Sequence, residues 1–308
     1  MDIIENETIL GPLSSDTPNT IVQFGGQTAI NLSQSLESAG LGILGSTARS
    51  IDIASDRHLF EEFLKRLDIP NPPGSAVADT KEALKIADEI GYPVLVRPSY
   101  VLGGRAMEIV HAPEELKRYM SMAFEAGIGR RVLVDKYFEG REVEVDAVCD
   151  GDNVLIPGIM EHVERAGVHS GDSMAIYPGL TLTTDEVNTI VDYTTRIGKG
   201  LGIKGLMNIQ YVLLGGTSYR SPATPNEFKQ PSKPEVYVIE VNPRASRTVP
   251  FISKIKDNPY AKFAAQIAAA KSFENLPIDL TRARYMTQSD LWQKSCQIKS
   301  YHLRIVPD

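Results

Sequence analysis

The stretch VYVIEVNPRASR, residues 236–247, carries the pattern from which the fold prediction starts. Side chains alternate between the two faces of a β-strand, and the β-branched residues of this run predict a buried strand that ends at Asn242. Strict alternation places Val236, Val238, Glu240 and Asn242 on one face. The proline that follows ends the strand.

The polar residues at the end of this strand indicate a site for charged ligands. Glu240 and Asn242 lie two residues apart, so their Cα atoms are roughly 6 to 7 Å apart on one face. Two oxygen ligands at that spacing suit a hard cation, and the neighbouring Arg244 and Arg247 suit nucleotide phosphates. A glutamate that simply pairs with its neighbouring arginine is an equally good interpretation of these residues alone.

The composition indicates a globular protein without a nucleic-acid or membrane role. The chain has 308 residues, enough for one large or two ordinary domains, and a net charge of -7 without a basic tract. It has no signal peptide and no apolar run of membrane-spanning length. Cys149 and Cys296 make neither a disulfide framework nor a zinc site. We therefore expect a cytoplasmic protein.

Residues 1–54 predict a partial α/β domain. The apolar run TIVQF at residues 20–24 leads into two glycines, a helical segment follows to Ala39, and residues 42–44 resemble a second strand. Strand, glycine turn, helix and strand are typical of an open α/β sheet. Only about half of such a domain is represented.

Residues 55–276 predict a larger domain of mixed helices and strands. We expect a helix from Ser55 to Leu67 with Ser55 as its N-cap, and another from Thr80 to Ile90. Pro113 occupies the first position of a third helix. The pattern TTDE at residues 183–186 is a capping box that begins a fourth.

The strands of this larger domain are predicted from alternation. Residues 131–138 and 142–148 alternate strongly enough to be interpreted as a pair of neighbouring strands, and residues 206–214 form another. Residues 215–234 include four prolines and are interpreted as a surface insertion. The tail, residues 277–308, has weak periodicity and no readable role.

A glycine-containing loop between two predicted strands is a candidate phosphate site. The stretch VLVRPSYVLGGRAME, residues 94–108, contains Gly103 and Gly104, and glycines let backbone N–H groups close over phosphate oxygens. Arg97 and Arg105 bracket the loop and add positive charge. An ordinary hairpin with two solvated arginines is the alternative, but an arginine at the end of a buried strand favours phosphate binding.

Further polar residues fit a nucleotide and its metal. Asp135 and Glu142 offer the acceptors that an adenine amino group and ribose hydroxyls need, although a solvated strand edge explains them equally well. Gln210 would be a third metal ligand if its strand lies beside Glu240. The segment EHVERAGVHSGDS, residues 161–173, is interpreted as a polar loop whose His169 contacts substrate or phosphate. The spacing of its two histidines does not suit a helical metal-binding pair, and no cysteine accompanies them, so the pattern gives only weak support for a metal role.

Four long motifs together resemble the large subunit of carbamoyl phosphate synthetase. They are residues 97–108 (RPSYVLGGRAME), 159–173 (IMEHVERAGVHSGDS), 205–210 (GLMNIQ) and 239–250 (IEVNPRASRTVP). The first two are similar to the second half of that subunit, which phosphorylates carbamate, rather than to the half that phosphorylates bicarbonate. The resemblance implies an ATP-grasp fold of the α/β and α+β classes, with the nucleotide between two subdomains, preceded by a truncated pre-ATP-grasp domain.

The resemblance also implies roles for individual residues. Phosphate contacts would come from Arg57, Arg97, Gly103, Gly104 and Arg105. Adenine and ribose would contact Asp135 and Glu142, with His169 and Ser170 in a loop near the nucleotide. The Mg²⁺ (or Mn²⁺) ligands would be Gln210, Glu240 and Asn242. The catalytic arginines would be Arg97, Arg244 and Arg247.

The implied activity is ATP-dependent phosphorylation of carbamate in arginine and pyrimidine biosynthesis. The implied partners are the first synthetase half and a glutamine amidotransferase subunit. A ligase with another carboxylate acceptor, or a nucleotide-binding fragment without catalysis, stays open as an alternative. The absence of the first half and of the allosteric domain predicts a fragment, a split gene product or a stand-alone unit.

Overall fold

In the computed structural model the described residues are 20–98, 107–125, 132–167, 173–215, 235–269 and 272–276. Their strands form two antiparallel sheets. The smaller sheet has the order β1-β4-β2-β3 and consists of β1 (Gly74–Val77), β2 (Val94–Pro98), β3 (Glu108–Val110) and β4 (Val132–Lys136). The larger sheet has the order β7-β6-β5-β8-β9 and consists of β5 (Arg141–Asp150), β6 (Val154–Arg165), β7 (Ala175–Ile176), β8 (Lys204–Leu214) and β9 (Glu235–Asn242).

Helices cover these sheets. The helices before the smaller sheet are α1 (Gly26–Ile30), α2 (Ser33–Ser38), α3 (Ala48–Ser55) and α4 (Arg57–Arg66). Those that follow are α5 (Thr80–Ile90), α6 (Pro113–Glu125), α7 (Thr184–Gly200), α8 (Val249–Lys256) and α9 (Tyr260–Ala268), with a 3₁₀ turn at Phe273–Asn275. In the described part of the chain, no helix has the length and apolar character needed to cross a bilayer.

Each sheet has its own hydrophobic core. Helices α5 and α6 pack on the smaller sheet through Ala83, Ala87, Leu116 and Met120, all fully buried. One face of the larger sheet packs on α4 and α7, and its other face packs on α8 and α9 near one end. Among the described residues, the core on that second face is formed with α8 and α9 near one end of the sheet, and the cleft described below lies on the same face.

A β-bulge in β9 changes the expected alternation. Gln210 pairs with Glu240, but the next residue of β8, Tyr211, pairs with Val238, so Ile239 is an extra residue in β9. Val236, Val238 and Val241 therefore point into the core, and Glu240 points away from it. The prediction that Glu240 shares a face with Val238 was wrong, because alternation assumes an unbroken register.

The two strands predicted to pair with each other lie in different sheets. Strand β4 pairs with β1 and β2, whereas β5 pairs with β6 and β8. Alternation identifies which face of a strand is buried but not which strand lies beside it. The connection between β4 and β5 is instead the point where the chain passes from the smaller sheet to the larger one.

The segment predicted as a polar loop begins inside a strand. Glu161 and His162 belong to β6, and both are buried. The prediction failed because these polar side chains are buried against partners distant in sequence, Arg141 and Thr181 for Glu161 and the carboxylates of β5 for His162. His169 and Ser170 of the same segment lie outside the described residues, as do Gly103, Gly104 and Arg105. The insertion beyond Gly215 and the tail lie outside them too.

The predicted helix positions agree with the structure, whereas one predicted N-cap residue does not. Helix α5 has the predicted bounds, α6 begins at Pro113, and the capping box of α7 is present. The predicted N-cap Ser55 was wrong, because Asp56 accepts the hydrogen bond from the Leu59 N–H and so begins α4. The hydroxyl of Ser55 instead donates to the Ile51 carbonyl, 2.7 Å away, inside α3.

The N-terminal segment lies against the larger sheet. In place of the predicted strand pair, the described residues have one parallel bridge between Thr20 and Ile43. The buried Gln23 accepts from the Leu206 N–H (3.3 Å) through its side chain and from the Ala245 N–H (2.9 Å) through its carbonyl. Helix α3 spans the division predicted at residue 54, and its Ala54 packs on the core of the larger sheet.

Removing one buried hydroxyl should destabilise this core. The hydroxyls of Tyr211 and Thr194 lie 2.7 Å apart, and both residues are fully buried. We expect Tyr211→Phe to lower the free energy of unfolding by about 1–3 kcal/mol in urea titrations, because the Thr194 hydroxyl loses this partner in an apolar core.

The matched control is Tyr237→Phe, whose hydroxyl bonds Glu235 near the surface at 3.2 Å. Its effect should stay within about 0.5 kcal/mol. The double variant Tyr211→Phe/Thr194→Val should recover part of the loss. Equal stability of Tyr211→Phe and the wild type would contradict the importance of this bond.

Candidate functional site

A cleft lies between the two sheets, on the same face of the larger sheet as α8 and α9. Its apolar end is formed by side chains from both sheets and from the connection between them. They are Leu95, Met107, Tyr137, Phe138, Val212 and Ile239. Such a set suits a flat ring system, because aromatic and aliphatic side chains bury its faces. Sequence analysis missed these residues, since nothing in their local pattern separates them from core residues.

Two arginines converge on one buried carboxylate at the polar end of the cleft. An Nη2 atom of Arg57 lies 2.9 Å from one oxygen of Asp135, and Nη2 of Arg97 lies 2.9 Å from the other. Asp135 is only 4% exposed, so this pairing offsets the cost of burying its charge. Arg57 also donates to Glu61 (2.5 Å) and to the Pro72 carbonyl (3.1 Å).

This arrangement fixes both guanidinium groups on the cleft wall. Arg57 belongs to α4 and Arg97 to β2, and both line the cleft. Asp135 accepts a hydrogen bond from Arg97 through Oδ2, while its Oδ1 is close to Arg57 but accepts no hydrogen bond from the described residues. Asp135 therefore orients the arginines, and its predicted contact with adenine or ribose stays a prediction. The two guanidiniums have donors left for an anion, which is the arrangement predicted for phosphate binding.

The predicted metal ligands lie on two neighbouring strands. Gln210 of β8 and Glu240 of β9 are cross-strand partners, and Nδ2 of Asn242 donates to Oε1 of Glu240 at 2.9 Å. The Glu240 side chain is 41% exposed, and its other oxygen lies 3.8 Å from Nη1 of Arg97. Carboxylate and amide oxygens therefore face the cleft within a few ångströms of the arginines.

Three carboxylates follow one another along the cleft face of β5. Glu142, Glu144 and Asp146 occupy alternate positions, and each is at most 6% exposed. Burial raises the pKa of Glu142 from 4.5 to about 7; the charges of Glu240 and Glu144 add to this, while His162 opposes it. Burial also raises the pKa of Asp146 to about 6, although its hydrogen bonds act in the opposite direction.

Glu144 and His162 form the charged centre of this row. Burial acts to raise the pKa of Glu144, but hydrogen bonds from His162 (3.3 Å), Asn208 (2.7 Å) and Thr248 (3.3 Å) outweigh it and lower the pKa. Burial acts to lower the pKa of His162, and the carboxylates of Glu144 and Glu142 outweigh it and raise the pKa. The raised pKa favours the protonated form of His162, whose positive charge is opposite in sign to that of the row.

From the sequence, His162 was assigned to a polar loop, and Glu144 and Asp146 were given no role. A signal was present: in REVEVDAV, residues 141–148, acidic residues alternate with valine, which predicts one polar and one apolar face. That signal would have identified the row, and a buried row of carboxylates requires a compensating cation.

The turn after β9 carries the predicted arginines. Nε of Arg244 lies 3.4 Å from Oε1 of Gln27, and its Nη1 donates to the Ala245 carbonyl at 3.1 Å. Arg244, Asn242 and Gln27 line a second pocket that shares Arg57, Arg97, Ile239 and Glu240 with the first, so the two form one continuous cleft. Arg247 is exposed.

The described structure thus brings most of the predicted site residues together. Those that line the cleft are Arg57, Arg97, Asp135, Glu142, Gln210, Glu240, Asn242 and Arg244. Positive charge, oxygen ligands and an apolar slot are the parts that a nucleotide with a bound cation requires.

Comparison with known proteins gives this cleft a family context. Residues 56–276 match the family described as the carbamoyl-phosphate synthase L chain, ATP binding domain. A curated relative, the carbamoyl phosphate synthase large chain of Thermomicrobium roseum, is 54% identical over 255 residues, which cover 83% of this chain. The chain spans 22% of that relative's length.

Solved structures agree on the fold, which is of the ATP-grasp type. The biotin carboxylase domain of 2-oxoglutarate carboxylase from Hydrogenobacter thermophilus, in complex with MgADP, ADP and bicarbonate, has a TM-score of 0.70 at 23% identity; the match covers 92% of this chain and 59% of that one. Biotin carboxylase from Campylobacter jejuni, in the complex described as β-γ-ATP, has a TM-score of 0.62 at 20% identity. The match covers 81% of this chain and 53% of that one.

The raised pKa of Glu142 predicts a pH-dependent cost in stability. Its folded pKa of about 7 exceeds its ordinary value of 4.5, so the stability associated with this group is fully present below pH 4.5 and is lost as the pH rises through about 7. We expect Glu142→Gln to unfold with a free energy about 1–3 kcal/mol higher than the wild type at pH 8.5.

The difference between this variant and the wild type should shrink towards pH 5, measured by urea denaturation without nucleotide or metal. The control is Glu139→Gln, which changes an exposed glutamate three residues away. That variant should follow the wild type at both pH values. A Glu142→Gln variant with no pH-dependent gain would show that its carboxylate is not destabilised by burial.

Proposed function

The chain belongs to the carbamoyl-phosphate synthase large-chain family through its ATP-binding domain, and on that premise we propose that it phosphorylates carbamate with MgATP. The observation that carries this proposal is the meeting of Glu240, Gln210 and Asn242 with Arg57 and Arg97 at the polar end of one cleft. Phosphoryl transfer needs mainly positioning and charge neutralisation, and these residues are suited to both.

The nucleotide would lie with its base in the apolar end of the cleft. The rings of Phe138 and Tyr237 lie 4.6 Å apart, and Phe138 lines that end together with Tyr137. Glu142 lines the same pocket as these aromatic side chains, and its carboxylate would accept a hydrogen bond from a ribose hydroxyl. The triphosphate would then extend towards Arg57 and Arg97, with Gly103, Gly104 and Arg105 as further phosphate contacts.

The residues present fit a divalent cation such as Mg²⁺, or Mn²⁺ in its place. Hard cations take oxygen ligands, and Glu240, Gln210 and Asn242 offer one carboxylate and two amides. Among the described residues, no three His, Cys, Asp or Glu side chains are grouped as a metal site. In the proposed complex, phosphate oxygens of the nucleotide would be further ligands. When bound, the cation would neutralise charge between the β- and γ-phosphates.

The acceptor would bind beside the arginines of the second pocket. Carbamate is an anion, and its oxygen attacks the γ-phosphorus while ADP leaves, so no proton must be removed by the protein. Arg97, Arg244 and Arg247 would stabilise the charge on the transferring group. Biotin carboxylase structures of the same fold contain bicarbonate, which has similar size and charge.

The choice of carbamate over bicarbonate rests on two motifs. RPSYVLGG and EHVERAGVHSGDS resemble the second synthetase half, and the latter contains His169 and Ser170. The proposed partners are the first synthetase half and a glutamine amidotransferase subunit, because the relative is much longer than this chain. We further propose that the protein is cytoplasmic and acts in arginine and pyrimidine biosynthesis. We also propose that a partial α/β domain ends at residue 54 and that the ATP-grasp domain follows it.

The reverse reaction is the test of this function. Carbamate is unstable, whereas carbamoyl phosphate and ADP can be supplied directly, and both directions share one transition state. We expect Mg²⁺-dependent ATP synthesis from carbamoyl phosphate and ADP by the isolated chain. Synthesis from acetyl phosphate but not from carbamoyl phosphate would point to another carboxylate acceptor. A folded chain that binds ADP without making ATP would favour a nucleotide-binding role without catalysis.

The metal ligands are tested by Glu240→Gln. This variant should lose at least about 100-fold in ATP synthesis, because the carboxylate is the only charged member of the proposed trio. In calorimetric titrations, the gain in ADP affinity on adding Mg²⁺ should also disappear. Glu235→Gln, an exposed position on the same strand, is the matched control. Near wild-type synthesis by Glu240→Gln at saturating Mg²⁺ would remove this strand from the metal site.

A further inference from the structure

The turn that follows β9 is held by one buried carboxylate. The hydroxyl of Ser246 donates to Oδ1 of Asp146 at 2.6 Å, and the hydroxyl of Thr248 donates to Oδ2 at 2.5 Å. The two hydroxyls lie 2.7 Å apart. Asp146 is 2% exposed and lies on the central strand of the larger sheet, so this turn is tied to the middle of that sheet.

The Thr248 hydroxyl makes this contact instead of the capping hydrogen bond that is usual at its position. It is the N-cap residue of α8, yet its side chain makes no capping hydrogen bond to that helix. A threonine at an N-cap usually accepts from the first turn of its helix, which stabilises a helix by about 1 kcal/mol. Here its hydroxyl is directed to Asp146 and, at 3.3 Å, to Glu144.

The same carboxylates reach the strand that carries the metal ligands. Nδ2 of Asn208 donates to Glu144 (2.7 Å) and to Asp146 (2.9 Å). Asn208 is the cross-strand partner of Asn242, and Asn242 is one of the proposed metal ligands together with Glu240. One hydrogen-bond network therefore holds both the end of β9 and the turn behind it.

The other side of the turn is held by the N-terminal segment. The Ala245 N–H donates to the Gln23 carbonyl at 2.9 Å, and the Arg244 side chain contacts Gln27. The turn is thus held on both sides, and Arg244 and Arg247 lie within it. A guanidinium acts on a transferring phosphoryl group only from a fixed position, since small displacements cost large factors in rate.

We propose that Asp146, acting through Ser246 and Thr248, is a positioning residue that holds Arg244 and Arg247 in place for phosphoryl transfer. This inference rests on the proposed function. Thr248 is the position at which it is tested most sharply, because serine keeps the hydroxyl and valine removes it with little change in volume. Neither substitution alters a residue that would touch the nucleotide.

The test measures ATP synthesis from carbamoyl phosphate and ADP with Mg²⁺. Thr248→Val should lower kcat by at least about tenfold, the effect typical of residues that orient a site through hydrogen bonds. The KM for ADP and the calorimetric affinity for MgADP should change less than about threefold. Thr248→Ser should restore kcat to within about threefold of the wild type. Ser246→Ala should change kcat in the same direction as Thr248→Val.

The other outcomes would contradict the inference, and they separate a failure of the positioning role from a failure of the proposed function. If the wild type makes ATP and Thr248→Val equals it, the positioning role is wrong and the proposed function stands. If Thr248→Val loses MgADP binding or folded protein in proportion to its activity, while Ser246→Ala keeps full kcat, the hydroxyls serve stability alone. If the wild type makes no ATP, the proposed function and the inference fail together.

Discussion

The buried carboxylates on the cleft face of the larger sheet must be compensated by partner groups, and the arrangement of the rest of the site depends on this requirement. A charge that is removed from water without a partner is costly, and Glu142, Glu144 and Asp146 follow one another along β5. Their compensation comes from other elements: His162 on β6, Asn208 on β8, and the hydroxyls of the turn after β9. Packing these strands side by side in the right register is therefore also what assembles the site.

A carboxylate outside this row, Asp135, connects the two sheets. Asp135 belongs to the smaller sheet, while Arg57 comes from a helix that packs on the larger one. Removing Asp135 would take from both Arg57 and Arg97 the carboxylate that they share, and buried ion pairs are sensitive to such single substitutions. The arginines that we assign to phosphate binding are oriented before any ligand arrives, so less side-chain entropy is lost on binding.

The sequence predicted those features that depend on local chemistry. The capping box at Thr183, the proline at the start of α6 and the strand that contains Glu240 were found because each has a local physical cause. The pairing of β4 and the bulge at Ile239 were missed, because both depend on strands distant in sequence. His162 was missed for a related reason: its burial depends on the carboxylates of β5. Residue chemistry and strand position had already indicated seven of the eight predicted residues that line the cleft, and the resemblance to a family added Arg57.

The bulge in β9 has a consequence for how such a site changes in evolution. Without Ile239, the remaining residues of β9 would alternate regularly, with valines inward and Glu240 and Asn242 outward. Ile239 is thus one residue more than the strand requires, and it lies where the two pockets of the cleft meet. A sheet can absorb such a residue locally because the ladder resumes on both sides. A cleft of this kind can therefore gain a lining residue by the insertion of a single residue as well as by substitution.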